Sequence, residues 1–465
     1  MGRLLLLTHR YLGIAVGLLM AMWCVSGLVM MYVSYPSLSE SERAMHLAPI
    51  AWERCCRALR DALADADSVD RFRVEMLAGR PVLDLGDGPN ASGRIDLASG
   101  AELEGISNSE ARAVASAYAH QHPVSALGRV QVDQWTFDGV AADERPLYRF
   151  AVEDPAHTQL YVSSLSGRVV QLTTRPERFW NWLGAIPHWL YFTDLRRHAG
   201  LWTQVVIYTS LVGCFLTVIG LYLGVRALLH RPPGRWSPYR GFNLWHHVAG
   251  LCFGVFTLTW VLSGLLSMNP WGWLEGGDAT REQAQLAGAD VTGAQLLQAL
   301  QALAQRRADN IVSIVGAPLE GHLYLIASDR QGRQWRLDAL GRAAPLDAAQ
   351  RKFIAGVLGG PLTLITQGDE YYFSHHGDPV RLPALRLVSA SGDRYYVDPV
   401  SGALLAKLDA AARGYRWWHD ALHRLDFAAI VRGRPQWDVL MWLLMSGATA
   451  LSLTGVYLAG RRVLR

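Results

Sequence analysis

The sequence HRYLGIAVGLLMAMWCVSG occupies residues 9–27, and the related sequence HHVAGLCFGVFTLTWVLSG occupies residues 246–264. Each begins with histidine and ends with Ser-Gly, and neither has Asp, Glu, Lys or Arg after its second residue. Apolar stretches of this length predict membrane helices, because about 20 residues cross a bilayer. Five positions (His9, Gly13, Trp23, Ser26 and Gly27) recur at an offset of 237 (246 − 9), which predicts an internal duplication.

A second set of matches extends the duplication towards the end of each half. At an offset of 235 (423 − 188), Tyr161, Ser166, Gly167, Trp182, His188, Phe192, Trp202, Gly220 and Tyr222 match Tyr396, Ser401, Gly402, Trp417, His423, Phe427, Trp437, Gly455 and Tyr457. Each half therefore has the order span, outer domain, span. Two halves in the same orientation predict parallel repeats, related by a pseudo-two-fold axis along the membrane normal.

The composition agrees with a chain that has membrane and aqueous parts. Of 465 residues, 51% are hydrophobic and 18% are charged, and the mean hydropathy is +0.11. The apolar content excludes disorder, and five cysteines are too few for a disulfide scaffold. A net charge of +4 gives no argument for nucleic-acid binding. Four stretches can cross the bilayer, at 11–35, 199–225, 241–274 and 439–460, and we interpret the first as a retained anchor.

Basic residues flank these spans on one side. Nine arginines lie in short segments without acids, at Arg3, Arg10, Arg226, Arg231, Arg235, Arg240, Arg461, Arg462 and Arg465. The positive-inside rule places these segments and both termini in the cytoplasm. The remainder has 35 bases (44 − 9) and 40 acids. We therefore predict a bacterial inner-membrane protein whose large segments, 36–198 and 275–438, are periplasmic.

These boundaries give the domain plan. It comprises membrane helices at 1–35, 199–225, 241–274 and 439–460, outer domains at 36–175 and 275–412, interfacial segments at 176–198 and 413–438, and a cytoplasmic loop at 226–240. Helix-like patterns at 51–64, 109–121, 293–306 and 347–358 alternate with strand-like stretches such as 80–84 and 322–326. The predicted fold class is an α-helical membrane protein of four transmembrane helices in two parallel repeats, with two α+β extracytoplasmic domains.

Histidines at membrane depth are the first candidate site, because ionisable residues there are functional candidates by default. His9 and His246 each follow an arginine by six residues, which is about 9 Å along a helix. Matched depth on equivalent helices would let this pair ligate one haem iron, since imidazole is a common axial ligand. Each could instead cap an interfacial helix end. His247, about 100° around the helix, is the alternative ligand.

His188 and His423 form a second matched pair, each in a Trp-rich segment before a span. They could ligate a second haem or form hydrogen bonds at the interface beside tryptophan. The hydrocarbon core is about 30 Å thick, so His9 and His188 cannot share an iron. Any ligation must therefore join the two halves, His9 with His246 inside and His188 with His423 outside.

Other residues are secondary candidates. His419 and His198 stand where the other half has glycine. The adjacent His375 and His376 are predicted on an outer loop, where they could bind a metal or an acidic ligand, or form an exposed or hydrogen-bonded pair. The neighbouring Cys55 and Cys56 are predicted outside the membrane, with no assigned role.

Missing motifs restrict the cofactor and the electron donor. The chain has no C-x-x-C-H sequence, so any haem is of the non-covalent b type. It has no nucleotide-binding glycine motif, and its cytoplasmic segments are too short to bind NAD(P)H alone. Electrons would therefore come from quinol or from a separate cytoplasmic reductase. Two haems, one at each histidine pair, would let electrons pass from one side of the membrane to the other.

Four segments carry a resemblance to a known family. They are YVDPVSG at 396–402, similar to the closing strand and turn of PepSY domains, WLGAIPHWLYF at 182–192, YYFSHH at 371–376 and RWWHDALHRLDF at 416–427. The whole chain resembles the PepSY-associated transmembrane proteins of bacteria. The resemblance implies PepSY-like outer domains. Some relatives are inner-membrane ferric-siderophore reductases with b-type haem, which implies reduction of a ferric siderophore or another ferric chelate on the periplasmic side.

Two other functions remain open at this point. The resemblance also allows a haem-free protein whose outer domains inhibit proteases or sense ligands and whose spans only anchor it in the lipid bilayer. A transporter with polar groups between the repeats is a third possibility. It is disfavoured because the central parts of the spans carry no acid or base.

Overall fold

The computed structural model describes the chain except for residues 1, 57–58, 60–62, 64–68, 70, 87–92, 138, 307–309, 376–378 and 465. Within the described residues, four helices are long and apolar enough to cross a membrane. They are α1 (Gly2–Met30), α8 (Ala199–Leu229), α9 (Phe242–Ser267) and α15 (Gln436–Val463). The chain is therefore a membrane protein with four candidate spans, near the four predicted stretches.

The helix ends differ from the predicted spans. The first helix begins at Gly2, nine residues before the apolar stretch 11–35 (11 − 2), and it ends at Met30 instead of 35, ahead of Pro36. The third ends at Ser267 instead of 274 because Asn269 has a left-handed φ of 42° and Pro270 has no N–H for a helical bond. The other two extend beyond 225 and begin before 439, because flanking polar residues continue the helix.

The four long helices form a bundle. α1 and α9, which contain the two matched stretches, each pack against both α8 and α15. This arrangement places the histidine-bearing faces of α1 and α9 towards a common centre. Short helices precede α8 and α15 in the sequence. In the first half they are α5 (Arg175–Leu183), α6 (Ala185–Trp189) and α7 (Thr193–Arg196). In the second half they are α13 (Ala410–Tyr415), a π-helix (Arg416–Ala421) and α14 (Leu422–Arg424).

The outer segments contribute three antiparallel sheets among the described residues. One has the order β4–β5–β6–β7, with strands Val124–Val130, Leu147–Val152, Gln159–Ser163 and Val169–Thr173. Another has the order β11–β12–β13–β14, with strands Thr363–Ile365, Ala384–Val388, Arg394–Val397 and Leu404–Leu408. The largest has the order β10–β9–β8–β1–β2–β3, with β1 to β3 at Phe72–Leu77, Arg80–Leu85 and Gly93–Asp96, and β8 to β10 at Ser313–Gly316, Tyr324–Ser328 and Gln334–Asp338.

The six-stranded sheet joins the two halves of the chain. Its central pair is β1 with β8, and Val74 lies opposite Ile314 in the register. Both side chains are fully buried, in one core with Leu296 and Leu300 of α11 (Gly293–Arg306). The sequence pattern predicts strands in both outer ranges, 36–175 and 275–412, but not their union in one sheet.

Each four-stranded sheet packs its own helix. α3 (Asn108–Tyr118) and α12 (Ala348–Leu358) lie close to the predicted 109–121 and 347–358, and α11 matches the predicted 293–306. Ser107 and Asp347 form capping boxes at their starts, which fixes these boundaries. The predicted helix at 51–64 begins with a short 3₁₀ turn, Trp52–Arg54, and the described Leu59 and Leu63 are helical. Residues 57–58, 60–62 and 64 of this range lie outside the described residues.

Several smaller features complete the outer region. The turn glycines Gly167 and Gly402 have φ of 72° and 78°, a conformation that favours glycine. Cys55 and Cys56 are joined in a disulfide, and both are buried. The short helices α2 (Glu40–Met45) and α10 (Thr280–Ala287) lie between a membrane helix and the strands that follow it, and α4 (Val140–Asp143) lies between β4 and β5.

Truncation across the β1–β8 pair tests the shared sheet. Ile314→Ala should lower the free energy of unfolding by about 2–5 kcal/mol, because removal of a buried aliphatic side chain leaves a cavity in the core. Combined with Val74→Ala, the loss should differ from the sum of the single losses by about 0.5–3 kcal/mol, because the two side chains touch. Denaturant unfolding of the detergent-solubilised chain, followed by tryptophan fluorescence, measures both values.

A matched control uses the same substitution in another core. Ile354 is also fully buried, but in the core of the β11–β14 sheet. Val74→Ala and Ile354→Ala should therefore be additive. Additive losses for Val74 with Ile314 would contradict a sheet shared by the two halves.

Candidate functional site

The inner histidine pair lies between the two matched helices. His9 on α1 and His246 on α9 have ring centroids 6.3 Å apart, with ring planes inclined by 46°. The Nδ1 atom of His9 lies 3.2 Å from the Leu216 carbonyl oxygen. The Nδ1 atom of His246 lies 3.2 Å from the Leu451 carbonyl oxygen and 3.2 Å from the Thr454 hydroxyl. Each imidazole is thus held by the helix that follows it in its own half.

The outer histidine pair lies where the interfacial segments meet the same helices. His188 on α6 and His423 on α14 have ring centroids 6.0 Å apart, with planes inclined by 74°. Both short helices end at a leucine in the left-handed conformation, Leu190 and Leu425. The indole nitrogens of two tryptophans bond the carbonyls one residue after the histidines, Trp202 to Trp189 and Trp437 to Arg424. Matched residues therefore hold both histidines in the same way.

Serine hydroxyls orient the outer imidazoles. The Nδ1 atom of His188 lies 3.1 Å from Ser26 Oγ and 3.2 Å from the Trp23 carbonyl oxygen. The Nδ1 atom of His423 lies 2.9 Å from Ser263 Oγ. Each serine donates its own hydrogen to a carbonyl in the preceding turn, so its oxygen accepts from the imidazole.

These bonds determine which ring nitrogen is free. A carbonyl oxygen only accepts, so Nδ1 of His9, His188 and His246 carries the hydrogen and Nε2 is left with its lone pair. None of the four Nε2 atoms forms a hydrogen bond to a described residue. Histidines that bind metals are held in this way, with the second nitrogen bonded to a carbonyl or a carboxylate. The arrangement presents four neutral imidazoles with an open donor nitrogen.

The two pairs are separate sites. On α9, Ser263, which bonds His423, follows His246 by 17 residues (263 − 246). At the helical rise this corresponds to about 25 Å along the axis. The inner and outer pairs therefore lie near opposite ends of the bundle, as the sequence predicts.

Glycines give the imidazoles room. A Cβ atom at Gly220 would lie 2.7 Å from Cε1 of His9, and one at Gly455 would lie 3.2 Å from Cε1 of His246. At Gly27 it would lie 3.4 Å from Cε1 of His188. Gly13, one turn after His9, faces open space, because a Cβ atom there would have no heavy atom of another residue within 4 Å. A larger side chain at Gly220 would displace the His9 ring, and one at Gly455 would press on the His246 ring.

His247 is not available as a ligand, which corrects its place as the alternative. Its Nδ1 atom lies 2.8 Å from Ser237 Oγ, and its Nε2 atom lies 2.9 Å from the Gly224 carbonyl oxygen. Both ring nitrogens are therefore used within the protein. The residue ties the loop between α8 and α9 to the ends of both helices.

His419 lies beside the outer pair, whereas His198 does not. His419 is in the π-helix, with its ring centroid 5.4 Å from that of His423 and its Nδ1 atom 2.8 Å from the Ser263 carbonyl oxygen. His198 is exposed and precedes the first residue of α8. At Gly184, the first-half counterpart of His419, a Cβ atom would lie 3.1 Å from Val29, so this half has no room for the same side chain.

The predicted metal pair has little support from geometry. Nδ1 of His375 is 3.8 Å from the carboxylate of Asp426, which forms an ion pair with Arg416 at 2.9 Å. Burial, together with the charges of Arg424, Arg416 and Arg432, lowers the pKa of His375 to about 3. His376 lies outside the described residues. Among the described residues, no cluster of three or more His, Cys, Asp or Glu side chains has a metal-binding arrangement.

Sequence reasoning found the four histidines but not the residues that orient them. Ser26 and Ser263, and Gly220 and Gly455, belong to the matched positions of the two halves. Their roles become visible only in the packed structure, where α1, α6 and α8 meet in the first half and α9, α14 and α15 meet in the second. Their recurrence at the same offsets as the histidines was the available signal.

A comparison with protein families finds a model that matches most of the chain. The model of the PepSY-associated TM region family matches residues 6–359. The matched range contains His9, His188 and His246 and ends before His423. No curated protein matches the chain.

Removal of the His247 side chain should make the loop between α8 and α9 more accessible to proteases. His247→Ala leaves the Ser237 hydroxyl and the Gly224 carbonyl without this partner, a loss of about 1–3 kcal/mol. We expect faster tryptic cleavage after Arg235 and Arg240, which are followed by Trp236 and Gly241, in the detergent-solubilised protein. His198→Ala, at an exposed position, should leave the rate unchanged, and equal cleavage of all three proteins would contradict the proposed tie.

Proposed function

The chain belongs to the family of PepSY-associated transmembrane proteins, and from that premise we propose that it is an inner-membrane electron-transfer protein with two b-type haems. The observation that carries the proposal is the pair of facing imidazoles at each end of the bundle. In both pairs, Nδ1 is engaged by the protein and Nε2 is not. No contact among the described residues explains why four such nitrogens should be left without a partner in an apolar bundle.

The residues fit non-covalent haem. Metal–nitrogen bonds of about 2 Å to opposite faces of one iron separate two imidazole centroids by about 6 Å. The observed separations are 6.3 Å and 6.0 Å. Gly13 and Gly250 follow His9 and His246 by one helical turn, and a Cβ atom at either would have no heavy atom nearer than 3.7 Å. A flat macrocycle needs such space beside its ligands.

His9 and His246 would hold the inner group, and His188 and His423 the outer one. When bound, haem supplies reversible one-electron chemistry. The carbonyls of Leu216 and Leu451 fix the tautomer of the inner imidazoles, and Ser26 and Ser263 fix the outer ones. The apolar side chains of the four helices exclude water from both pairs, which favours electron transfer over side reactions.

The charge distribution supports an orientation. Arg226, Arg231, Arg235 and Arg240 lie at the end of the bundle that holds the inner pair. We propose that this end faces the cytoplasm with both termini, and that the sheets lie in the periplasm. The two halves would then be parallel repeats. The like orientation of α1 and α9, and of α8 and α15, supports this arrangement.

The outward acceptor is proposed from the family resemblance. We propose a ferric siderophore or another ferric chelate, which takes one electron per iron and becomes the ferrous chelate. Hard oxygen ligands hold Fe(II) less tightly than Fe(III), so reduction favours release. The electrons would come from quinol, which gives two electrons and releases two protons, or from a cytoplasmic reductase.

An absorption spectrum tests the haem. The purified protein should show a Soret band that shifts on reduction, with two components. His9→Ala and His188→Ala should each remove one component, because the two pairs lie at opposite ends of the bundle. Gly220→Val should weaken the same component as His9→Ala, because its side chain would displace the His9 ring.

Controls separate ligand loss from general damage. His198→Ala changes an exposed histidine and should keep both components. A protein without a Soret band would contradict the proposal and favour the haem-free binding or regulatory alternative. Haem that survives all three site substitutions would refute the ligand assignment alone.

Reoxidation kinetics test the acceptor. The dithionite-reduced protein, mixed with a ferric hydroxamate chelate in a stopped-flow instrument, should lose its reduced spectrum. His188→Ala should slow this reaction, because the outer pair lies between the inner pair and the periplasm. The redox-inert gallium(III) complex of the same chelate is the control. Equal rates for the wild type and His188→Ala would contradict exit by way of the outer pair.

A further inference from the structure

A cleft of about 420 Å³ lies in the outer region, away from both histidine pairs. It opens where α2, α3, the β1–β2 hairpin and the β6–β7 turn meet. The second half contributes Arg330, whose Nε atom donates to the Leu47 carbonyl oxygen at 2.7 Å. The first half forms most of the cleft, and the second half adds one arginine to its lining.

Arginines dominate the polar side of the cleft. Arg43 and Arg168 line it, and together with Arg73 they contact one carboxylate, that of Glu40, at 2.6 Å, 3.0 Å and 3.1 Å respectively. Glu40 is largely exposed, with 57% of its side-chain surface accessible. The Nε–H groups of Arg43 and Arg168 are buried without a hydrogen-bond partner among the described residues. This set of guanidinium groups already binds a carboxylate and has donors left over.

The lining acids do not cancel this charge. Glu75 is held by two hydrogen bonds of 2.7 Å from Arg43, and Asp84 is paired with Arg94. Arg330 at the rim has no acidic partner among the described residues and is exposed. Arg168 also lies 3.9 Å from the Glu75 carboxylate and 4.0 Å from that of Glu144. Each of these carboxylates already contacts a guanidinium group, so an anion entering the cleft meets no unpaired carboxylate, and Arg330 is the lining arginine that has no acidic partner among the described residues.

The remaining wall is apolar and aromatic. The rings of His46 and Tyr118 are stacked at 3.9 Å with an interplanar angle of 11°, and His120 lies 5.1 Å from His46 on the other side. Leu47 and Val114 add aliphatic surface. Such a wall fits a flat or ring-bearing organic body better than a hydrated ion.

The second half shows that the fold does not require these residues. α2 and α10 begin 240 residues apart (280 − 40), as do α3 and α12 (348 − 108). At this offset the counterparts of His46 and Tyr118 are Leu286 and Leu358, which are buried in the core of the β11–β14 sheet.

The charged positions are replaced as well. Arg43 corresponds to Gln283 at the same offset, and Arg168 to Ala403 in the matched turn. Glu75 corresponds to Ala317 when the hairpin glycines Gly79 and Gly321 are aligned. Burial of an ion pair costs desolvation energy that well-packed apolar residues avoid. The first half bears this cost at Arg43 and Glu75, where the second half has the uncharged Gln283 and Ala317, which indicates a role other than folding.

We propose that this cleft binds a small organic carboxylate with an apolar, ring-bearing body. The carboxylate contacts Arg168 and Arg330, because bidentate guanidinium bonds match its geometry. The ring lies against the His46–Tyr118 wall and the aliphatic side chains. The volume is within the range of small-molecule sites, roughly 300–1,000 Å³.

Equilibrium dialysis with 2-naphthoate tests the site in the full-length, detergent-solubilised chain, after subtraction of partition into protein-free micelles. We expect saturable binding of one molecule per chain. The uncharged isostere 2-naphthamide should bind about tenfold more weakly, because it lacks the charge-assisted bonds. Arg330→Ala should weaken naphthoate binding by about the same factor.

Two further variants make the result specific. Ala117→Trp, on the exposed face of α3 that lines the cleft, should block binding by filling it. Arg342→Ala, at an exposed position outside the lining, should leave binding unchanged. Absent saturable binding, equal affinity for the amide, or unchanged binding in both Arg330→Ala and Ala117→Trp would overturn the proposal. None of these outcomes depends on whether haem is bound.

Discussion

An imidazole inside an apolar helix bundle must satisfy its N–H group within the protein, because no water is present to do so. In this chain the constraint is met four times at Nδ1, by carbonyls in the inner pair and mainly by serines in the outer pair. Each bond fixes the ring direction and leaves Nε2 without a hydrogen bond to a described residue. The separations of the two pairs, the glycines against the rings and the short helices before α8 and α15 all depend on this arrangement.

The two halves of the chain resemble each other more in their membrane parts than in their outer parts. The membrane parts are alike, with His9 and His246, and His188 and His423, held by matched residues. The outer parts differ, because the first half has the stacked rings of His46 and Tyr118 where the second has leucines, and arginines where the second has glutamine and alanine. Such matched surroundings are expected for two histidines that would bind one haem between them. The proposed carboxylate site needs only one copy, so the second half can have other residues at the corresponding positions.

Much of the membrane part could be predicted from the sequence. The spans follow from local apolar length, and the histidine pairs follow from matched register, since residues at equal offsets from the ends of parallel helices lie at equal depth. The helix ends were less predictable, as Asn269 and Pro270 show by ending α9 before the apolar stretch ends. The role of His247 was also hidden, because its partners Ser237 and Gly224 belong to a loop and to another helix.

The sequence by itself determined four apolar helices, their repeated histidines and the α+β character of the outer segments, because these properties depend on residues within a few turns of one another. The tertiary structure alone decided that β1 pairs with β8, that the serines reach Nδ1 of the outer histidines, and that Arg330 closes a cleft of the first half. These contacts join residues more than a hundred positions apart. Strand pairing and side-chain approach at that distance depend on how the whole chain packs, which no local pattern encodes.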